Sequence, residues 1–391
     1  MDIVIIANFC LDFSETDNGR FSYLANILSE NHNVEIITSS FYHINKKQRE
    51  AVTKHPYKIS LIDEPGYEKN ISLKRFYSHY IWGKNVGRYL ARRKTPDVVY
   101  CAIPSLTGPM LVAKYCEKKG IKFIIDIQDL WPEAFQMIFN IPIISNLIYF
   151  PFKYMSNSIY KRANQIVAVS QTYVNRALKA NKKCNRGYSI FLGTELKIFD
   201  ENAKKISFLN KNKDEIWLAY CGTLGSSYDL TNVMKAIYQA KISNLYFIIM
   251  GNGPLMETFQ LLAKKLEINV VFTGRLAYDD MCSILCKCDM TVNPIMPGAA
   301  QSIINKHADY LASGLPIINT QENEEIRELI EKYQCGINCK NANEDDIKNA
   351  IIKLCNDDEL RNEMGKNARK LAVDKFDRAK TYKKIINLII E

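Results

Sequence analysis

The sequence has 391 residues, of which 47% are hydrophobic and 24% are charged. These proportions are typical of a folded globular protein and exclude a fibrous or largely disordered chain. Lys and Arg outnumber Asp and Glu by 52 to 42, which gives a formal net charge of +10. This surplus favours an anionic partner, such as a nucleic acid, a membrane surface or a phosphorylated substrate.

Eleven cysteines are scattered along the chain, and no secretory segment precedes them. This usage predicts free thiols in a reducing cytoplasm. Cys282, Cys286 and Cys288 lie close together, but no fourth Cys or His is near, so we expect no metal site and small core residues instead. The most apolar window, 141–152, is shorter than the roughly 20 residues that cross a bilayer. We therefore expect no membrane-spanning segment.

Short apolar runs alternate with helical patterns in chain order. The first series is Ile3–Ala7, Val34–Thr38, Lys58–Ile62, Val98–Ala102, Phe123–Ile127 and Ile166–Ser170. The second series is Ile216–Cys221, Leu245–Met250, Val270–Thr273, Met290–Asn293 and Pro316–Asn319. Strands that are apolar on both faces and separated by helices are typical of parallel sheets with helices on both sides.

The predicted fold class is therefore α/β, with two doubly wound, Rossmann-like domains in tandem. We place the first domain at residues 1–196, a polar linker at 197–214 and the second domain at 215–374. Residues 375–391 read as a helix that we expect to cross back to the first domain.

Ligands of open parallel sheets bind beyond the carboxyl ends of the strands, so the loops there are the first candidates for function. Gly19 precedes a helical pattern after the first run, although an ordinary turn also explains Asn-Gly. Gly225 and Gly251 follow the first two runs of the second domain, which favours a nucleotide site. Neither loop is a GxGxxG or Walker sequence, so dehydrogenase and P-loop functions lose support.

The segment from Gln301 to Pro316 is the most informative. A polar loop leads into a helix predicted from about Ile304 to Ser313, whose free N–H groups and Lys306 would attract an anion. The carboxylate of Asp309 suits a ribose diol. A plain helix surface is the alternative interpretation of His307 to Asp309.

This stretch resembles the signature of the retaining family 4 glycosyltransferases of the GT-B fold, in particular those that build bacterial surface polysaccharides. The family's Glu-x7-Glu pattern is Gln301-x7-Asp309 here, and Asn305, Lys306 and Tyr310 match one of its variants. Three further motifs match: Gly251 to Pro254, Phe272-Thr273-Gly274 and Asp129-Leu130-Trp131-Pro132. The resemblance covers essentially the whole chain.

The resemblance implies two domains facing across a cleft, with a nucleotide-sugar bound to the second domain. By it, the donor-binding residues are Gly19, Gly225, Gly251, Arg275, Ser302, Asn305, Lys306 and Asp309. Gln301 would reach the sugar, and Asp129 is a second catalytic candidate, although it also reads as a helix cap beside a core Trp131. Many members hold the diphosphate with an Arg and a Lys, whereas this sequence has Thr223 and Tyr228 near those places.

The segment from Lys69 to Lys94 contains eight basic residues, no acid and several aromatic residues. Such a pattern suits an anionic bilayer surface, and its composition would also suit single-stranded nucleic acid, for which no motif is present. We assign the membrane surface to Lys74, Arg75, Trp82, Arg92 and Arg93. The protein would then be cytoplasmic and peripheral on the inner face of the plasma membrane.

Together these features predict a retaining glycosyltransferase that moves a sugar from a nucleotide-sugar, expected to be UDP-linked, to a glycan on a polyprenyl diphosphate. No Asp-x-Asp motif is present, so we expect neither metal nor other cofactor. Two alternatives remain: a UDP-sugar 2-epimerase of the same architecture, and a membrane-docked subunit that binds nucleotide without catalysis. The pattern does not distinguish the sugar, the linkage or the oligomeric state.

Overall fold

The computed structural model describes residues 1–11, 13, 19–49, 54–70, 72–136, 144–298 and 304–391. The chain divides into two compact units. The first unit is Met1–Phe191 together with Tyr382–Glu391, and the second is Leu192–Thr381.

The first unit contains a sheet of seven parallel strands in the order β5-β2-β1-β6-β7-β8-β9. A small antiparallel hairpin, β3 with β4, follows β2. The strands are β1 Asp2–Ile6, β2 Asn33–Ser39, β3 Phe41–Tyr42, β4 Lys47–Gln48, β5 Lys58–Ile62, β6 Val98–Ile103, β7 Lys122–Ile127, β8 Gln165–Ala168 and β9 Tyr188–Ser189. The central strands are buried on both faces, as their continuous apolar sequences require.

Helices connect the strands of the first sheet. They are α1 Arg20–Ser29, α2 Leu73–Arg92, α3 Thr107–Lys119, α4 Glu133–Gln136, α5 Ile144–Arg162 and α6 Gln171–Leu178. The last helix of the chain, α16 Lys383–Ile390, belongs to this unit, because Ile385, Leu388 and Ile389 are buried in the same core cluster as α1 and β1.

A buried ion pair ties together several elements of the first unit. The Arg20 guanidinium at the start of α1 lies 2.8 Å from the Asp126 carboxylate on β7, and both side chains are almost completely buried. Arg20 also donates to the Ile190 carbonyl after β9. Breaking one partner of such a pair is costly because the other charge is left buried.

The second unit contains a sheet of six parallel strands in the order β12-β11-β10-β13-β14-β15. The strands are β10 Ile216–Cys221, β11 Leu245–Met250, β12 Asn269–Gly274, β13 Met290–Asn293, β14 Ile317–Asn319 and β15 Gly336–Asn338. The helices are α7 Leu196–Ala203, α8 Leu230–Ala240, α9 Met256–Leu266, α10 Tyr278–Leu285, α11 Lys306–Ala312, α12 Glu324–Tyr333, α13 Glu344–Asn356, α14 Asp358–Leu371 and α15 Arg378–Thr381. A π-helical turn, Ala372–Phe376, separates α14 from α15.

All eleven predicted strands are present, and the α/β class with two parallel sheets is confirmed. The division between units falls after Phe191 rather than in the interval 197–214. Helix α7 occupies the start of that interval, and Phe199 on it is almost completely buried. Sequence patterning missed this helix because it has few apolar positions among charged ones.

Candidate functional site

Helix α11 places two charged side chains near the carboxyl ends of the central strands of the second sheet. The helix follows β13, and the Tyr310 hydroxyl accepts a hydrogen bond of 2.7 Å from the Cys221 N–H at the end of β10. Lys306 begins the helix and Asp309 lies one turn later, so both side chains lie on the same side of it.

The Lys306 ammonium lies between two aromatic rings. Its Nζ is 4.1 Å from the centroid of the Tyr220 ring and 3.9 Å from that of Tyr228. The Nζ atom is buried and makes no hydrogen bond among the described residues. Burial lowers the pKa of Lys306 to about 7, because the rings offset only part of the lost hydration.

Asp309 ends a short hydrogen-bonded chain. Its carboxylate accepts a bond of 2.8 Å from the Tyr278 hydroxyl, which in turn lies 2.8 Å from the hydroxyl of Thr194. Burial raises the pKa of Asp309, although the Tyr278 hydroxyl and the Arg378 charge act in the opposite direction. The chain fixes one carboxylate oxygen and leaves acceptor capacity for a ligand hydroxyl.

The loops after β10 and β11 pack against each other through their backbones. Gly222 and Leu224 donate to the carbonyls of Met250 and Asn252, each at 3.0 Å. A Cβ at Gly251 would lie 1.8 Å from the Gly222 carbonyl oxygen, so this close approach alone requires glycine. The donor role of Gly251 and Gly225 stays a prediction.

The Lys306 ammonium borders this pair of loops. A Cβ at Gly222 would lie 3.0 Å from Lys306 Nζ, which places the cation beside the loop backbone after β10. A ligand phosphate against that loop would therefore meet the side chain of Lys306. The positive charge comes from a helix after β13, and not from the loop positions near Thr223 and Tyr228.

The start of α11 offers fewer free N–H groups than the sequence suggests. The helix begins at Lys306, not Ile304, and spans seven residues. The N–H groups of His307 and Ala308 already donate to the carbonyls of Ile304 and Asn305. The cationic side chain is thus the stronger feature of this helix end.

The structure describes two of the four remaining candidate site residues of the second unit. Asn305 precedes α11 and is exposed, without a side-chain capping bond. Arg275 is exposed directly after β12. Gln301 and Ser302 lie outside the described residues.

His307 is part of the core and is not exposed to a ligand. Its Nε2 lies 3.1 Å from the Asn293 side-chain nitrogen and 3.2 Å from the Gln321 side-chain oxygen. All three residues are completely buried, and burial lowers the pKa of His307 to about 4. A neutral, buried imidazole is a poor acid or base for a sugar, which removes the main candidate residue of an epimerase.

Asp129 lies in the first unit, after β7, and organises its own loop. It accepts hydrogen bonds from the Leu130 N–H, the Trp131 indole at 3.2 Å and the Tyr173 hydroxyl. It does not cap a helix, since α4 begins only at Glu133. Burial raises the pKa of Asp129, and its catalytic role stays a prediction. Gly19 is the residue before α1 in the same unit.

Trp82 and Arg93 do not fit the membrane face that the composition of the basic segment suggests. Trp82 was assigned to that surface, but it is 1% exposed, because it packs against Gly108 where α2 meets α3. Arg93 pairs with Asp2 and Glu35, each at 3.0 Å, so its charge is already balanced. Arg75 is partly buried among aromatic rings, whereas Lys74 and Arg92 are exposed.

A different exposed surface occurs on the first unit. Leu73, Tyr77 and Tyr80 are exposed along one face of α2. Leu147, Ile148, Phe150 and Tyr154 are exposed on α5. The two helices are neighbours, since the rings of Phe76 and Phe152 lie 5.2 Å apart. We call these seven residues the apolar face. In the described part of the chain, no helix is both long enough and apolar enough to cross a bilayer.

Sequence reasoning missed four side chains that shape the site: Thr194, Tyr220, Tyr228 and Tyr278. They are tens of residues or more from α11 along the chain, so no local motif joins them to Lys306 or Asp309. The sequence offers one signal for these contacts, which is Tyr228. It is an aromatic residue near a position where many members of the family that the sequence resembles have a cation.

Comparisons with known proteins agree with this geometry. Residues 201–371 match the family model "Glycosyl transferases group 1", a range that includes β10 to β15 and α11. Two uncharacterised glycosyltransferases of Methanocaldococcus jannaschii are 25% and 24% identical over 63% and 56% of the chain. The alignments span 64% and 57% of those relatives.

Solved structures match nearly the whole chain in fold. Sucrose-phosphate synthase from Thermosynechococcus elongatus gives a TM-score of 0.76 at 14% identity, covering 99% of this chain and 97% of that one. Anabaena HepE, solved in complex with UDP, gives 0.71 at 14% identity and covers 99% of both chains. WaaG, a glycosyltransferase involved in lipopolysaccharide biosynthesis, gives 0.69 at 13% identity, again with 99% coverage of both. Residues 201–371 thus match the group 1 glycosyltransferases, and the chain has the fold of solved GT-B glycosyltransferases.

Proposed function

We propose that the protein is a retaining glycosyltransferase of family 4 that transfers a sugar from a UDP-sugar to a glycan acceptor. The observation that carries this proposal is the buried Lys306 ammonium, which has no hydrogen-bonding partner among the described residues and borders the loop after β10. A diphosphate bound against that loop would supply the missing partner. The HepE structures with UDP and UDP-glucose have the same fold and support this choice of donor.

Different residues of the second unit bind different parts of the donor. Lys306 holds the diphosphate through a charge-assisted contact. Asp309, oriented by Tyr278, accepts the ribose hydroxyls. Gly225 lets the loop backbone approach the phosphates, and Gln301 contacts the sugar. Asn305, Ser302 and Arg275 complete the polar surroundings of the donor.

The transfer requires no strong base from the protein. The acceptor oxygen bonds to the anomeric carbon as the bond between that carbon and the diphosphate breaks. The donor phosphate takes the acceptor proton on the same face of the sugar, and UDP leaves with it. Catalysis then consists of orienting the reactants and stabilising the departing diphosphate, without a metal ion.

The acceptor is a lipid-linked glycan of surface polysaccharide synthesis, presented at an anionic membrane. The apolar face supports this proposal, because apolar and aromatic side chains otherwise rarely stay exposed together. Lys74 and Lys153 are exposed on the same two helices and would attract anionic headgroups. Docking would be peripheral.

The test is a panel of UDP- and GDP-sugars, scored by release of the nucleoside diphosphate during slow hydrolysis or transfer to a short synthetic acceptor. We expect release from one or a few UDP-sugars, with product of the same anomeric configuration by NMR. Release from none, together with no binding of UDP, would overturn the proposal. Interconversion of the donor sugar without transfer would indicate an epimerase instead.

A further inference from the structure

A second group of cations lies at the carboxyl edge of the first sheet. Lys46, in the turn between β3 and β4, has its Nζ 4.8 Å from the centroid of the Tyr67 ring. The Arg75 guanidinium on α2 lies 5.6 Å from the centroid of the same ring. Arg75 also lies 4.8 Å from the Trp131 ring and 5.8 Å from that of Phe9. We call these five residues the cationic cluster.

Neither cation has a carboxylate within ion-pair distance in the part of the chain that the structure describes. In the described part of the chain, Lys46 Nζ has neutral polar partners, the His43 ring at 3.0 Å and the Asn70 side chain at 2.6 Å. The Arg75 Nε is buried without a hydrogen-bonding partner among the described residues, while Nη1 of the same guanidinium donates to the Asn70 carbonyl at 2.9 Å. Among the described residues, two cations without a carboxylate at ion-pair distance thus lie against one ring.

The nearby carboxylates of Glu64 and Asp129 attract the Arg75 charge from a distance, but their hydrogen bonds go to other groups. Glu64 accepts from the Asn8 amide and the Ser78 hydroxyl, each at 2.8 Å. Asp129 accepts from Leu130 and Trp131, as described above. Burial and the charge of Arg75 lower the pKa of Lys46 to about 8, so the free protein holds this ammonium at a cost.

The backbone of Lys46 provides an independent observation. Its φ is +59°, a left-handed conformation that Gly or Asn would adopt more easily. A lysine at such a position is disfavoured by the backbone alone. The ammonium of this residue lies 3.0 Å from the ring nitrogen of His43.

We propose that the cationic cluster binds the phosphate or diphosphate group of the acceptor substrate. An anion there would pair with both cations in surroundings where the aromatic rings limit hydration and strengthen each contact. Only the identification of this ligand as an acceptor rests on the proposed function. The anion site itself stands on the geometry of the first unit.

The experiment is calorimetric titration of the full chain in the presence of saturating UDP, which fills the proposed donor site. The titrants are inorganic pyrophosphate, geranyl diphosphate and geraniol. The variant Lys46→Gln removes the charge, and Lys47→Gln is its matched control, because Lys47 is the neighbouring residue, exposed and of equal charge. A second variant, Arg75→Gln, is compared only if its melting temperature is close to that of the wild type.

We expect saturable binding of both diphosphates, weakened about tenfold or more by Lys46→Gln and less than about twofold by Lys47→Gln. Tighter binding of geranyl diphosphate than of pyrophosphate would identify a lipid-borne group, and equal binding would show that the anion alone is recognised. Absence of diphosphate binding, or equal affinity in wild type, Lys46→Gln and Lys47→Gln, would overturn the proposal. Failure to bind UDP would count against the proposed donor and leave the comparison of Lys46 with Lys47 intact.

Discussion

At the scale of single residues, Lys306 is the feature on which the proposed donor site depends. A lysine buried between two tyrosine rings gives up hydration that the rings replace only in part. The protein keeps this unfavourable arrangement beside the glycine loop after β10. Replacing Lys306 by a neutral side chain should therefore raise the stability of the free protein and weaken its binding of the ligand.

Replacing Lys306 by Met should stabilise the free protein. The pKa of Lys306 is about 7 in the folded chain and about 10.5 in the unfolded chain, so the unfolded chain binds the extra proton between these pH values. Stability of the wild type should thus rise with pH across that range, and the advantage of Lys306→Met should be largest at pH 7 or below. We expect a melting temperature about 2–4 °C higher at pH 7, with a smaller difference at pH 9.5.

The control for this prediction is Lys332→Met, which removes an exposed lysine on α12. It should leave the melting temperature nearly unchanged at both pH values. A Lys306→Met variant that melts below the wild type, or whose advantage does not shrink at pH 9.5, would show that the ammonium is not held at a cost.

At the scale of elements, two loops and one short helix form the proposed donor site. The loops after β10 and β11 share backbone hydrogen bonds, and α11 is fastened to β10 through Tyr310. The buried side chains of Asn293, His307 and Gln321 join α11 to the ends of β13 and β14. These contacts fix the positions of Lys306 and Asp309 relative to the sheet.

Gly251→Ala tests the contact between the two loops. The added Cβ would lie 1.8 Å from the Gly222 carbonyl oxygen, so backbone must shift. We expect a loss of at least about 2 kcal/mol, seen as a melting temperature several degrees lower. Gly87→Ala is the matched control, because its Cβ would meet nothing within 4 Å on helix α2, and it should be neutral or slightly stabilising. An unchanged melting temperature for Gly251→Ala with lost UDP affinity would instead favour a direct role in donor binding.

The strands could be predicted from sequence because buried parallel strands are short, continuous apolar runs. Ligands of parallel sheets bind beyond the carboxyl ends of the strands, so the order of strands and helices also predicted that Lys306 and Asp309 lie near strand ends. The aromatic surroundings of Lys306 could not be predicted, since they depend on a contact between residues about 80 positions apart. Composition likewise could not show that Trp82 faces the core. The helical pattern of α2 gives the spacing of its side chains, but it does not say which face of the helix is buried.

At the scale of the whole molecule, the excess of basic residues does not by itself identify a membrane surface. Two basic side chains of the segment 69–94 show this, because Arg93 is paired and Arg75 is partly buried. The exposed apolar side chains of α2 and α5 are the better candidates for insertion among headgroups.

The membrane proposal predicts reversible binding to vesicles that contain phosphatidylglycerol. Leu147→Glu with Phe150→Glu should reduce co-sedimentation several-fold, because the pair would place charges on the apolar face. Leu261→Glu is the matched control, since Leu261 is equally exposed on α9 of the second unit. Binding should also weaken as salt shortens the screening length from about 10 Å at 0.1 M to about 3 Å at 1 M. Equal sedimentation of wild type and the double variant would contradict the proposal.

The most direct test of the account is calorimetric titration of UDP into wild type, Lys306→Met and Lys332→Met at pH 8, in two buffers of different ionisation enthalpy. At this pH most Lys306 side chains are neutral in the free protein, and the bound diphosphate should raise their pKa. The account predicts proton uptake by the wild type and by Lys332→Met. It predicts affinity at least about tenfold weaker, with that proton uptake lost, in Lys306→Met. If Lys306→Met binds UDP as tightly as the wild type and with the same proton uptake, Lys306 does not hold the diphosphate.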